Sequence, residues 1–264
     1  MARVCPLFSG SSGNCIYIGS GTGGLLIDAG VSAKRIEQSL FDRDIDPRSV
    51  SAVFITHEHS DHIQGISILA KRYGMKIYAS NGTLSDMAAH DKLPAGADIH
   101  PLTADDCVCE QELYIRPFKT MHDAAESFGY VVQTPDDRKI ALATDLGVMT
   151  QEVMDAVSGC DMVILESNHD ISMLSAGSYP YYLKRRILSP YGHLSNEACA
   201  AVLPALISSG TTRFVLAHLS RENNLPDLAY QTALSELVQF GMEADEDYKL
   251  IVAPPESTER MIVF

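Results

Sequence analysis

The segment Thr56-His57-Glu58-His59-Ser60-Asp61-His62 constrains this chain more than any other. Three histidines and an aspartate fall within six residues, directly after the apolar run Ala52 to Ile55 and directly before a helical pattern that opens at Ile63. His57 and His59 are two apart, so in extended chain they point to one side and can grip one metal ion. Asp61 and His62 lie at the turn into the helix and can face a second. Imidazole and carboxylate together suit borderline metals, so zinc or manganese is expected and iron is possible. A fold that accepts this segment has to bring a strand end, a turn and a helix start to one polar spot in an apolar frame.

Two ions need more donors, and the rest of the chain offers them in one recurring setting. His122 follows the strand-like Phe118, Asp145 ends the run Ile140 to Thr144, and His218 ends the run Phe214 to Ala217. Each is a ligand type at the end of an apolar strand, where a site between sheets draws its donors. Alone, each reads as a capping or hydrogen-bonded residue; beside the histidine cluster, each reads as a ligand. His90 and His100 lack such neighbours and read as structural or surface residues. Cys107 and Cys109 form a CxC on an alternating segment, whereas structural zinc sites usually use CxxC pairs, so no metal is expected there.

The chain has 264 residues, of which 46% are hydrophobic and 20% charged, the composition of a globular protein with material for a sizeable core. No repeat, low-complexity tract or linker divides it, so residues 1–264 are expected to form one domain. No stretch approaches the ~20 apolar residues of a membrane span, and Met1 to Pro6 lacks a signal peptide's apolar run. With six cysteines read as free thiols, the expected location is the cytoplasm, with no membrane partner. Glycine turns break the first 30 residues into short strands, Val4 to Phe8, Asn14 to Ile18 and Leu25 to Asp28. Helical and strand patterns then alternate: helices over Ala33 to Phe41, Ile63 to Tyr73, Met149 to Val157, Tyr179 to Leu188 and Asn196 to Ile207. Strands are expected at Ala52 to Thr56, Lys76 to Ala79, Leu113 to Phe118, Ser127 to Gln133, Lys139 to Thr144 and Met162 to Leu165. A last helix carries Pro226 in its first turn and stops before Gly241. This is an α/β pattern, sheets covered by helices.

The order of the motifs resembles the metallo-β-lactamase superfamily: Asp28 in Leu25-Leu-Ile-Asp-Ala-Gly30, then HxHxDH, a lone His, an Asp and a final His. That resemblance implies an αββα four-layer sandwich holding two divalent metal ions. His57, His59 and His122 would bind the first, Asp61, His62 and His218 the second, and Asp145 would bridge. Asp28 would accept a ring N–H from a ligating histidine and fix its tautomer. The segments Ser9 to Asn14, Glu166 to Asp170, Gly192 to Asn196 and Ala217 to Asn224 are similar to the WalJ (YycJ) family and span nearly the whole chain. This implies a metal-dependent 5′-to-3′ exonuclease on double-stranded DNA, with DNA as a transient substrate.

A metal lowers the pKa of bound water from 15.7 toward ~7, so the expected nucleophile is a hydroxide bridging the two ions. The leaving 3′ oxygen needs a proton. In tRNase Z, a distant nuclease of the superfamily, a Glu and a His pair beside the metals, and Glu166 and His193 stand in similar segments here. Asp61, Glu166 and His193 are thus the candidate catalytic residues, with His193 as general acid. His169 is a candidate third ligand or substrate contact, Ser11 and Asn14 sit in a loop able to cradle phosphate, and Arg221 follows His218. Two rival readings remain: a thioester or lactone hydrolase of the same fold, and a non-catalytic metal-stabilised binding module.

A net charge of −14 opposes nucleic-acid binding, which is largely counterion release by Lys and Arg. Phosphate responds to the local field, however, because the screening length is about 8 Å at physiological salt. The acidity therefore predicts weak non-specific DNA binding, with capture left to the metals and a small basic patch at Lys184, Arg185, Arg186 and Arg221.

Overall fold

The computed structural model describes residues 1–21, 23–258 and 261–264; Thr22, within the expected glycine turn after the second strand, lies outside them. Two compact units are distinguished, the first Met1–Lys119, Ala124–Arg138 and Pro255–Phe264, the second Thr120–Asp123 and Lys139–Pro254.

The first unit contains strands β1 (Ala2–Phe8), β2 (Cys15–Ser20), β3 (Gly23–Ile27), β4 (Val50–Phe54), β5 (Lys76–Ser80) and β6 (Ile99–Leu102). It also holds β7 (Val108–Glu110), β8 (Leu113–Lys119) and β9 (Phe128–Gln133), with helices α1 (Ala33–Phe41), α2 (Ser60–Ile63), α3 (Ile66–Tyr73) and α4 (Asn81–Ala89). A sheet runs from a short C-terminal strand, Ile262–Val263, through β1, β2, β3, β4 and β5 to β6. Its first half is antiparallel and tightly turned. From β3 onward the pairing is parallel, because helices carry the chain back between strands. The two faces of β4 are both apolar. Val53 packs in a core with Ile36 and Leu40 of α1 and Leu69 of α3. Phe54 stacks on Tyr78 at 4.5 Å between centroids and meets Tyr130 of β9 edge-on at 5.6 Å.

The helix expected over Ile63 to Tyr73 is broken into α2 and α3. The cause is competition for backbone groups. The Asp61 carbonyl, which an unbroken helix would offer to Gly65, accepts instead from the Asn14 N–H at 2.8 Å, and the Gly65 N–H donates to Ala29 O at 2.7 Å. Gly30 is the hinge of this contact, since a Cβ there would land on the Asp61 carbonyl. The loop after β3 and the histidine segment are thereby locked together.

The second unit contains β10 (Lys139–Ala143), α5 (Gln151–Val157), β11 (Met162–Glu166), α6 (Ile171–Ala176), α7 (Tyr181–Ile187), α8 (Asn196–Ser208), β12 (Arg213–Ala217), α9 (Pro226–Gln239) and β13 (Lys249–Val252). β10, β11, β12 and β13 pair in parallel, with Ala143, Leu165 and Leu216 in register. Helix α5 starts two residues later than periodicity suggests because Thr150 caps it, its Oγ1 accepting from Val153 N; α7 also starts two residues late, after Pro180, while α8 starts at Asn196 as expected. Parallel register puts the C-terminal ends of β10, β11 and β12 at one edge, where ligands collect in such sheets.

Candidate metal centre

The histidine segment of the first unit is built around Thr56. Its N–H donates to Asp28 Oδ1 at 2.8 Å, and its hydroxyl lies 2.9 Å from Asp28 Oδ2, 3.0 Å from His57 Nδ1 and 3.1 Å from His62 Nδ1. His62 Nδ1 is 2.7 Å from Asp28 Oδ2, both side chains being buried. Burial pushes the Asp28 carboxyl above the usual carboxylate range, and the partnership with His62 and Thr56 pulls against that rise. With Nδ1 so engaged on both rings, Nε2 would be the atom that His57 and His62 offer to a metal. His57 Nε2 lies 2.9 Å from His59 Nδ1, so two imidazoles converge on one point. His62 Nε2 stands 3.5 Å from Asp61 Oδ2.

Asn14, read from the sequence as a substrate contact, has its amide nitrogen 3.1 Å from His62 Nε2, while its amide oxygen accepts from Gly10 N at 2.9 Å. Ser11 lies at a cavity of about 440 Å³ that Ser60, Asp61, Ser67 and Lys92 also line. Glu58, unremarked in the sequence, is buried and accepts from Ala125 N at 2.7 Å. It ties the motif to the loop before β9.

The second unit gathers its donors from four strand ends and loops. Asp145, Glu166, His193 and His218 offer ligand atoms that all lie within 4.8 Å of one another. His218 Nδ1 is 2.8 Å from Asp145 Oδ2, and His122 Nε2 is 3.9 Å from Asp145 Oδ1. His122 Nδ1 lies 3.1 Å from the carbonyl of Gly192, and burial pushes this imidazole below the ordinary histidine value, which favours the neutral form a metal needs. Glu166 is fully buried, yet its carboxylate is saturated: Oε2 accepts from the N–H groups of Leu146 and Leu194 at 3.0 and 3.1 Å, and Oε1 is 2.8 Å from His193 Nδ1.

Three of the key residues hold backbone conformations that side chains seldom adopt. Asp28, Asp145 and His218, each just past the end of a strand, have φ of 62°, 57° and 55°. Such strain persists where surrounding structure over-determines it, and it clusters at working sites.

A donor set of imidazoles and carboxylates, buried and held by hydrogen bonds to their outer atoms, fits a divalent cation. Among the described residues, Cys107 and Cys109 enter no such grouping; both are exposed and free. His90 bonds the carbonyl of Asp86, and His100 stacks on Tyr78. The segments around Glu166, Gly192 and Ala217 meet in one polar network that the sequence could not display. Ser167 Oγ donates to Asn196 Oδ1 at 2.6 Å, Asn224 Nδ2 donates to Ser167 O at 2.9 Å, and Asn168 Nδ2 donates to His218 O at 2.8 Å. His169 is buried beside Ser195, and neither ring nitrogen has a hydrogen-bond partner among the described residues. Arg221 is exposed, and Arg186 pairs with Asp123.

The fold and these motifs agree with what known proteins show. The family described as the β-lactamase superfamily domain matches residues 24–219. The metallo-β-lactamase fold protein YhfI from Bacillus subtilis superimposes with a TM-score of 0.72 at 18% identity, over 97% of this chain and 98% of that one, so the expected α/β fold is the one observed. Exodeoxyribonuclease WalJ of Streptococcus pneumoniae serotype 2 is 36% identical over 253 residues, 95% of this chain and 94% of that protein. Exodeoxyribonuclease YycJ of Bacillus anthracis is 35% identical over 251 residues, with the same coverage. With matches of that depth along nearly its full length, the chain belongs to the metallo-β-lactamase superfamily and, within it, to the family of WalJ and YycJ.

Proposed function

We propose that this chain is a metal-dependent exodeoxyribonuclease that hydrolyses double-stranded DNA from the 5′ end. The observation that carries the reading is identity of 35–36% over 95% of the chain to two proteins named as exodeoxyribonucleases. Residues 1–264 act as one domain, in the cytoplasm, where six cysteines outside any disulfide are at home; no helix among the described residues is long and apolar enough to cross a membrane.

His57, His59 and His122 would hold one divalent ion, Asp61, His62 and His218 a second, with Asp145 shared; zinc and manganese suit these donors. Bound ions of this kind supply an activated water and neutralise charge on a phosphodiester. The chain's own residues do the rest. Thr56 and Asp28 fix the tautomers of the first histidines through their Nδ1 atoms. Glu166 holds His193 through Nδ1, which leaves Nε2 to deliver a proton to the departing 3′ oxygen. Backbone N–H groups of Leu146 and Leu194 hold the Glu166 carboxylate in place. Ser11, Asn14, His169 and Arg221 would meet or frame the substrate.

Duplex DNA labelled at either end, incubated with the purified chain and Mn²⁺, tests this. Successive mononucleotides released from the 5′ end are expected. Intact DNA together with rapid turnover of a thioester or lactone would overturn it.

A further inference from the structure

Helix α7 carries two tyrosines on its open side, Tyr181 and Tyr182, which are 76% and 74% exposed. Tyr191, just beyond the helix, is 55% exposed, whereas Tyr17, Tyr78, Tyr130 and Tyr248 are buried. An apolar cluster left in water marks a place where something binds. The same helix is basic. Tyr181, Lys184, Arg185, Leu188 and Ser175 line a shallow cavity of about 290 Å³ with no carboxylate among them. The Arg185 guanidinium lies 6.0 Å from the centre of the Tyr181 ring. Lys184 Nζ donates to the carbonyls of Ser175 and Gly177 at 2.7 Å each, neutral partners that position the ammonium without cancelling it. In a chain of net charge −14, exposed rings interleaved with cations are a local exception.

This surface is fixed to the reactive cluster of its own unit. His193 N donates to Ile187 O, the last residue of α7, at 3.0 Å, and Asp123 N donates to Tyr191 O at 3.0 Å. A side chain at Gly192 would strike the carbonyls of Arg186 and Ile187, so the turn from α7 to His193 closes only with glycine there. Tyr191 and His193 thus stand two residues apart on one tight turn, one in solvent and the other on Glu166.

From this geometry we infer that α7 and Tyr191 form a stacking platform for unpaired nucleotides at the end of the DNA substrate, their bases on the tyrosine rings and their phosphates against Lys184 and Arg185. The inference rests on the exonuclease reading and sharpens its substrate to duplex ends with frayed or single-stranded nucleotides. Aromatic rings and cations on one surface suit single strands because every base has a π face.

The chain contains no tryptophan, so Tyr182→Trp installs a single reporter. The metal-loaded variant is titrated with phosphorothioate-linked duplexes bearing a short 5′ overhang, a matched abasic overhang, or a blunt end. Quenching of the indole by the overhang, and little by the abasic one, is expected. The pair Tyr181→Ala with Tyr182→Ala, its fold checked by circular dichroism, should raise KM on overhang DNA by roughly five- to a hundredfold. Equal quenching by the abasic overhang, an unmoved KM, or a dimer that the tyrosine pair holds together would each overturn the platform while leaving the exonuclease reading intact. Absence of any DNA cleavage by the wild type would instead remove the exonuclease reading, and base-dependent quenching would still support stacking.

Discussion

The two units gather similar sets of imidazoles and carboxylates by opposite routes. In the first unit, His57, His59, Asp61 and His62 come from one six-residue segment, and one hydroxyl, Thr56 Oγ1, contacts His57, His62 and Asp28. In the second, His122, Asp145, Glu166, His193 and His218 come from separate strands and loops, joined by a buried carboxylate whose oxygens meet three partners. Local spacing suffices for a segment that folds as a strand end, a turn and a helix. A cluster assembled over about a hundred residues depends instead on parallel register, which brings the ends of β10, β11 and β12 to one edge. The first half should therefore tolerate single losses by weakening its grip on a metal, and the second should fail in chemistry.

His193→Ala is the sharpest way to probe that contrast. Turnover of DNA should fall by roughly 10²- to 10⁴-fold with metal content retained. A substrate with a p-nitrophenolate leaving group, which departs without a proton, should lose far less. An equal loss on both substrates would show that His193 does not donate the proton. Asp28→Asn should act in the other half, lowering metal affinity by roughly 10- to 100-fold through the tautomer of His62, as read by competition with a chelator. Unaltered affinity would break the comparison. Thr56→Val removes the shared hydroxyl at nearly constant volume and should cost about 1–3 kcal/mol in denaturant unfolding of the metal-free chain, with no change expected from the exposed Ser67→Ala.

The smallest effect concerns pH. Burial holds the imidazoles of His122 and His169 below the ordinary histidine value. The unfolded chain then takes up protons before the folded one does, so this contribution is complete above the unfolded pKa of about 6.5 and is lost as pH falls below it. The melting temperature of the metal-free chain should drop between pH 7.5 and 5.5, less steeply in His169→Leu. Identical slopes would show that His169 does not share in the loss.

The same contrast explains what the sequence made legible. The expected α1 coincides with the observed Ala33–Phe41, and the central strands lie within one or two residues, because apolar periodicity and burial coincide there. The break between α2 and α3 was not legible, since it arises from Asn14 and Ala29 competing for backbone groups of a segment far along the chain. Nor was the role of Glu58, or the joining of Ser167, Asn168, Asn196 and Asn224, because polar side chains carry no periodic trace of whom they meet. Asp145 and His218 stood out by residue type and strand-end position, and Asp28 by the resemblance of its motif, whereas the left-handed backbone of all three leaves no mark where the residue is not glycine.

The proposed function turns on two divalent ions that share Asp145. Counting bound metal per chain in the wild type and in Asp145→Ala, by elemental analysis of the folded proteins, tests it most directly. Two ions per wild-type chain and fewer than one in the variant are predicted; two ions retained in the variant would contradict the account.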